Sequence, residues 1–326
     1  MATREFTVPP PRALPPEQRR HPVRIAHLLP RPVHYVLSGG GAHGSVQWGL
    51  LQALSETDLA PDALIGTSAG ALTAAIYAED PLAAVNRLAY VWNQLDLQVL
   101  MGDGWLRLLR SATSRGEGIA ENNAEQDALE SILAARDFSD LTLPCAAVAT
   151  DLATGLARAF DTGPLIPALL ASSAIPAVLP PVSIDGRRYI DGLASANLPA
   201  QLAVARGARS IVVLDTGSRT AAENGVSTPK VIARITAILN AAQRRTQLAA
   251  AARHVPVLLL PTPQNLGASM DFSGAADAAA ESYELGRAFL SALHDQHSRR
   301  LNRGLYADGS TDASDPEIAA ILKLVG

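Results

Sequence analysis

Val33-His34-Tyr35-Val36-Leu37 is the first periodic stretch of the chain, a short β-rich run that ends in Ser38 and three glycines. From Ser45 to Thr57 the apolar positions Val46, Leu50, Leu51 and Leu54 recur at helical spacing, and Pro61 marks the break. Ala63-Leu64-Ile65 makes a second short apolar strand closing on Gly66, and another helix is expected from Ala69 to about Ala78. Strand, glycine turn and helix, repeated at once, is the βαβα opening of a parallel sheet. Further strands are expected at 143–149, 187–190, 210–214 and 255–260, with helices at 80–96, 119–135, 197–205, 229–252 and 275–297. Many of these helices are alanine-rich, which suits close packing on a sheet. The pattern reads as one α/β domain over residues 33–300, with no internal repeat.

The two ends read differently. Residues 1–32 hold eight of the 22 prolines and six arginines against two glutamates, a local charge of +4. They are expected to form an extended, solvated arm, with grazing contact at an anionic membrane surface as its alternative use. Residues 301–326 read as a polar tail in which Asp315-Pro316-Glu317 starts a short terminal helix. Leu165 to Val182 runs 18 residues without a charge, the length of a membrane span. Pro167, Pro176, Pro180 and Pro181 each remove a backbone donor there, which argues against burial in lipid. The N-terminus carries arginines and prolines where a secretion signal needs an apolar core, so a soluble, cytoplasmic chain is expected.

Composition narrows the function classes. With 48% hydrophobic and 18% charged residues over 326, the chain has the material for a large core. A net charge of −4 gives no general attraction to nucleic acid, and no nucleic-acid partner is expected. The single cysteine, Cys145, excludes an intrachain disulfide framework and a cysteine-rich metal site, and reads as an inert core residue. No carboxylate-rich calcium loop is visible, so neither metal nor cofactor is expected.

Two glycine-rich turns carry the candidate chemistry. Gly39-Gly40-Gly41-Ala42-His43-Gly44 satisfies the dinucleotide pattern G-x-G-x-x-G through Gly39, Gly41 and Gly44, between a strand and a helix. That reading needs an acid at the end of the next strand, where a glycine and a serine stand, and Asp62 lies at that strand's start. A phosphate P-loop lacks its lysine. What the turn does supply is backbone N–H groups at a helix N-terminus, a place for negative charge.

The second turn, Gly66-Thr67-Ser68-Ala69-Gly70, is a G-x-S-x-G elbow: a sharp strand-to-helix turn exposes the serine hydroxyl, and the glycines relieve crowding. A nucleophilic serine needs a base. His254, His294 and His297 follow in chain order but fall at a helix end or just before a strand. Asp191, which leaves a β-run into Gly192, is the other candidate; a turn aspartate bonded to its own backbone is the alternative reading of the same residue.

The turn G-G-G-x-x-G, the elbow and the later Asp191-Gly192, in this order, resemble the patatin-like phospholipase family. Thr150-Asp151-Leu152-Ala153-Thr154-Gly155, and Ala171-Ser172-Ser173-Ala174-Ile175-Pro176 running to Pro180-Pro181, are similar to bacterial members. The matches span residues 35 to about 215. The resemblance implies a three-layer α/β fold with a mainly parallel sheet flanked by helices. It also implies a lipid acyl hydrolase with a Ser68–Asp191 dyad and an oxyanion hole made by the amides of Gly39, Gly40, Gly41 and Ala42. Gly44, Gly66, Gly70 and Gly192 then support the motifs, and the partner is a lipid or acyl-ester substrate with transient membrane-surface contact. Two positions depart from the family: His43 stands where it usually has Arg or Lys, and Leu193 where it has Gly or Ala. Leu97 to Arg110, rich in Leu, with Trp105, Arg107 and Arg110, reads as an amphipathic helix on the core, or else as a mobile cap touching lipid.

Overall fold

The computed structural model describes residues 22–94, 123–176, 179–217, 228–264, 266, 271–307 and 321. Among the described residues nine strands form one sheet: β1 (Val33–Leu37), β2 (Ala63–Thr67), β3 (Cys145–Asp151), β4 (Ala157–Phe160), β5 (Val182–Ile184), β6 (Arg187–Asp191), β7 (Ser210–Leu214), β8 (Pro256–Leu259) and β9 (Gly304–Tyr306). Their order is β5-β6-β3-β2-β1-β7-β8-β9, with β4 pairing β3 off this path. The pairs from β3 through β9 along this order are parallel, and β4, β5 and β6 add antiparallel pairings at the other edge.

The helices of the described residues are α1 (Ser45–Ser55), α2 (Ala69–Glu79), α3 (Ala84–Gln94), α4 (Asn123–Ile132), α5 (Leu165–Ser172), α6 (Leu193–Ala196), α7 (Ala200–Ala205), α8 (Thr228–Ala252) and α9 (Ala275–Gln296). They cover both faces of the sheet. On one face Tyr35, Leu37, Leu64 and Ala147 pack with Leu50, Ile76, Leu169 and Phe289, from α1, α2, α5 and α9. On the other, Val36, Ile65, Val148 and Val213 pack with Ala196, Ala203 and Leu248, from α6, α7 and α8. Alternate residues of β1 thus serve opposite cores, and all five are buried, as a strand covered on both faces requires. This is the expected three-layer arrangement.

Several expectations are corrected. Residues 22–32 are packed rather than solvated: Ile25, Leu28 and Leu29 are buried, and Val23 bridges Thr57. Their apolar side chains override the proline-rich composition around them. The expected polar tail contains β9 and buried Leu301, so the packed domain runs past both ends of 33–300. The uncharged run 165–182 begins with a real helix, α5, which tolerates Pro167 because it falls in the first turn, where no intrahelical donor is needed. The expected helix at 197–205 begins only at Ala200, as α7, with Pro199 at its N-cap, and the short α6 (Leu193–Ala196) precedes it. Cys145 is buried in β3, and burial pushes its thiol up to about 12, as an inert core residue requires.

Candidate active site

Parallel strands β1 and β2 lie side by side, with Leu37 opposite Gly66, so both glycine turns leave the sheet at the same edge. At the end of β2 the chain must reverse into α2 within one residue. Ser68 makes that reversal at φ 56° and ψ −127°, a left-handed conformation that costs a non-glycine residue roughly 1–3 kcal/mol. The glycines around it serve packing: a methyl on Gly66 would sit 2.3 Å from the Gly70 carbonyl oxygen, and one on Gly70 would sit 2.5 Å from the Ser38 carbonyl oxygen. Strand and helix are therefore as close as bare backbone permits, and the hydroxyl of Ser68 is held at the N-terminus of α2.

Ser172, on the last turn of α5, fixes this conformation. Its Oγ accepts the Ser68 N–H at 2.8 Å and donates to the Val148 carbonyl on β3 at 2.6 Å. Two residues on, the Ala174 carbonyl accepts the Asp191 N–H at 2.9 Å. One short segment thus ties down both expected catalytic residues. The resemblance named this segment but not the separate roles of its two serines; Ser173 lines the pocket described below.

Asp191 ends β6, opposite Ala149 on β3, and its side chain is fully buried. Its Oδ1 accepts the Leu193 N–H at 2.8 Å, so the bulk of the Leu193 side chain does not enter that bond. Oδ2 is buried without a formed hydrogen bond. Burial pushes the carboxyl up to about 7, against the pull of the Leu193 amide and of the nearby Ser68 hydroxyl, which acts on it short of hydrogen-bonding geometry. Gly192 permits the approach: a methyl there would meet the Val148 carbonyl oxygen at 2.5 Å and Thr67 Cγ2 at 2.7 Å.

The first glycine turn packs against the elbow, since a methyl on Gly39 would come within 3.1 Å of Ser68 Cβ. The Gly39 amide is committed, donating to the Asn197 carbonyl at 3.0 Å, which removes it from the expected set of oxyanion donors. The amides of Gly40, Gly41 and Ala42 have no backbone acceptor among the described residues, and Gly41 takes φ 57° to turn the chain into a 3-10 turn over Gly41–Gly44. His43 lies in that turn, half-buried. Gly44 packs on the ring of Trp92. A buried polar network holds the turn from below. Thr216 Oγ1 donates to the Gly39 carbonyl at 2.8 Å, Ser38 Oγ bonds Asp215 at 2.7 Å, Gln47 donates to the Ser38 carbonyl at 2.8 Å, and Arg244 pairs with Asp215. Asn197, Asp215, Thr216 and Arg244 escaped the sequence reading, because no short motif links them to Gly39.

Ser68 and Gly41 line an apolar pocket with Leu72, Ile76, Leu88, Val91, Leu170 and Phe272; among the described residues Glu125 is the one carboxyl in the lining, and no histidine lines it. His254 lies just before β8, at the opposite edge of the sheet from Ser68, His294 bonds the Arg24 carbonyl at 2.9 Å, and His297 packs edge-on against Tyr306. The Thr150–Gly155 segment is the β3–β4 hairpin, where Asp151 accepts the amides of Ala153 and Thr154 and pairs with Arg187. Residues 97–110, the candidate cap, lie outside the described residues. Among the described residues no group of three or more His, Cys, Asp or Glu side chains is placed to hold a metal ion.

The α/β scaffold thus brings a serine at a strained strand-to-helix elbow, a buried carboxyl and a glycine turn together at one sheet edge. A family model described as patatin-like phospholipase matches residues 35–204, just over half of the chain, and the chain belongs to that family. The chain is 32% identical over 209 residues to patatin-like phospholipase domain-containing protein 7 of Mus musculus, an alignment covering 63% of this chain and 15% of that protein. It is 34% identical over 160 residues to an uncharacterised NTE family protein of Mycobacterium bovis, covering 49% of this chain and 42% of that one. The alignments thus span about one seventh of the mammalian relatives and under half of the mycobacterial one. The solved structure of VipD from Legionella pneumophila superposes with a TM-score of 0.48 at 15% identity, over 81% of this chain and 67% of that chain.

Proposed function

We propose that the protein is a serine-dependent lipid acyl hydrolase working through a Ser68–Asp191 dyad. The observation that carries the reading is the pairing of the strained Ser68, which lines an apolar pocket, with a fully buried Asp191 whose carboxyl is pushed up to about 7. A free carboxyl near 4 is a weak base, whereas one near 7 is matched to taking a hydroxyl proton at neutral pH.

In the first half-reaction Ser68 Oγ attacks the ester carbonyl while Asp191 Oδ2 takes its proton. The carbonyl oxygen becomes an oxyanion held by the amides of Gly40, Gly41 and Ala42. Collapse of that intermediate breaks the C–O bond, and the alcohol leaves with the proton from Asp191. In the second, Asp191 takes a proton from water, the hydroxide attacks the acyl-enzyme, and the fatty acid departs as Ser68 Oγ recovers the proton. The acyl chain occupies the apolar pocket, which makes a phospholipid, lysophospholipid or glyceride ester the substrate class and a lipid surface the working location of a peripheral, cytoplasmic enzyme. No described helix is long and apolar enough to cross a membrane. The dinucleotide reading of the first turn draws no support from this site.

The test is hydrolysis of a p-nitrophenyl acyl-ester series by wild type, Ser68→Ala and Asp191→Asn, with folding followed by circular dichroism. Turnover by wild type alone is the expected result. Equal turnover by all three would place the nucleophile elsewhere.

A further inference from the structure

Eight large apolar side chains are exposed among the described residues: Leu82, Tyr90, Leu152, Leu156, Val231, Ile235, Ile238 and Leu239. Six of them belong to two elements, the β3–β4 hairpin and the first half of α8. Pairing registers place both beyond the sheet edge from which Ser68 emerges. Thr67 is level with Val148, so the end of β3 at Asp151 lies three residues further on, about 10 Å at ~3.3 Å per residue. Leu152 and Leu156 cap that hairpin.

The second element is longer. Arg244 of α8 pairs with Asp215, the first residue after β7, which fixes that point of the helix at the same sheet edge. The C-terminal end of α8 leads into β8 at the opposite edge, so the residues before Arg244 run outward. At ~1.5 Å per residue Val231 lies about 20 Å and Leu239 about 8 Å further along the axis. Val231, Ile235, Ile238 and Leu239 follow the i, i+4, i+7, i+8 spacing of a single helix face and are 43–58% exposed. In strand order the nucleophile after β2 falls between the hairpin on β3 and α8 beside β8.

Charge selects the occupant. Between Thr228 and Ala252 there is no Asp or Glu in a chain of net charge −4; Lys230 and Arg234 fall in the projecting half, while Arg244 is paired with Asp215 at its base. Beside the hairpin, Arg158 and Arg188 are exposed, with Asp185 the exposed acid of the neighbouring turn. An apolar stripe flanked by arginine suits the interface of an anionic bilayer, where apolar burial and phosphate attraction act together. Pairing with a second copy through α8 would instead bring like charges face to face.

We propose that the projecting half of α8 and the β3–β4 hairpin form a docking surface for an anionic phospholipid bilayer, which turns the sheet edge carrying Ser68 toward the membrane. The placement rests on the lipid-hydrolase reading above. It is tested by co-sedimentation with vesicles of phosphatidylcholine alone or with 30% phosphatidylglycerol (about a third, enough for a strong surface potential), using full-length Ser68→Ala so that no lipid is consumed. The expected result is binding at least about tenfold tighter to the anionic vesicles, weakened about tenfold or more by Ile235→Glu/Ile238→Glu and less by Leu156→Glu. Soluble-ester turnover of the same substitutions in the Ser68-containing protein is expected to stay at the wild-type level. Absent or unchanged vesicle binding overturns the proposal, as does a dimer that the double substitution dissociates without affecting binding. Vesicle binding without any ester turnover by the wild type would sink the hydrolase reading and leave the docking surface standing.

Discussion

The two glycine turns follow adjacent parallel strands, yet they use glycine in opposite ways. At the elbow the glycines at 66 and 70 let backbones touch, while the left-handed conformation falls on Ser68 itself. At the first turn the left-handed residue is a glycine, Gly41, and the amides of Gly40 and Ala42 on either side of it have no backbone acceptor among the described residues. One turn thus presents a side chain and stores strain; the other presents backbone and stores none. The difference fits the roles proposed above: a nucleophile needs a side chain at the apex, whereas an oxyanion site needs N–H groups and room.

This contrast can be broken from either side. The largest effect is expected from Ser68→Ala, which should lower turnover by about 10⁴-fold or more and abolish labelling by a fluorophosphonate while leaving the fold intact. Next comes Asp191→Asn, with kcat reduced about 10³-fold. Because burial holds the Asp191 carboxyl at about 7 rather than 3.8, the folded state binds its proton more tightly than the unfolded chain does. Stability from this site is therefore present below about pH 4 and is lost as pH rises towards 7. Asn keeps the acceptor that Leu193 needs, so the variant should be more stable than wild type by roughly 1–3 kcal/mol at pH 8 and not at pH 4, read from denaturant melts. Wild-type kcat should rise with pH to half its plateau near 7.

Gly40→Ala tests the first turn. The added methyl would lie 2.4 Å from Thr216 Oγ1, so the turn must shift, and kcat should fall about 10²-fold with KM for a soluble ester little changed. Ser172→Ala leaves the Ser68 N–H and the Val148 carbonyl without their shared partner. A drop in kcat of about tenfold and a loss of roughly 1–3 kcal/mol are expected, while Ser173→Ala should alter KM for long-chain esters and spare kcat. The smallest effects separate the two uses of glycine: Ser68→Gly should stabilise the inactive protein by about 1 kcal/mol, and Gly41→Ala should destabilise it by a similar amount or more. Equal signs in thermal melts would refute the assignment of strain to the elbow alone.

Much of the scaffold was legible because its signals are local. The runs at 33–37, 63–65 and 210–214, each bounded by glycine, polar or proline residues, returned as β1, β2 and β7. The strands β4, β5 and β9 went unread: each has three or four residues, partly exposed, too short for an alternation to register. The packed segment 22–32 was misread because composition averaged over prolines hides three buried side chains, Ile25, Leu28 and Leu29. Of Ser172 and Ser173, only the rotation of the last turn of α5 selects the one that reaches Ser68.

Features set by a few neighbouring residues are legible along the chain: two glycine turns, a serine at an elbow, an aspartate leaving a strand, and the helical and strand periods between them. Those are consequences of backbone sterics and side-chain spacing, which act over one or two turns of chain. Only the packed chain brings Asn197, 158 residues from Gly39, to accept that glycine's amide and Thr216, 177 residues away, to bond its carbonyl. It alone brought Asp191 under full burial beside Ser68, and so raised its carboxyl to about 7. Desolvation is a property of everything packed around a group, and no stretch of sequence carries it.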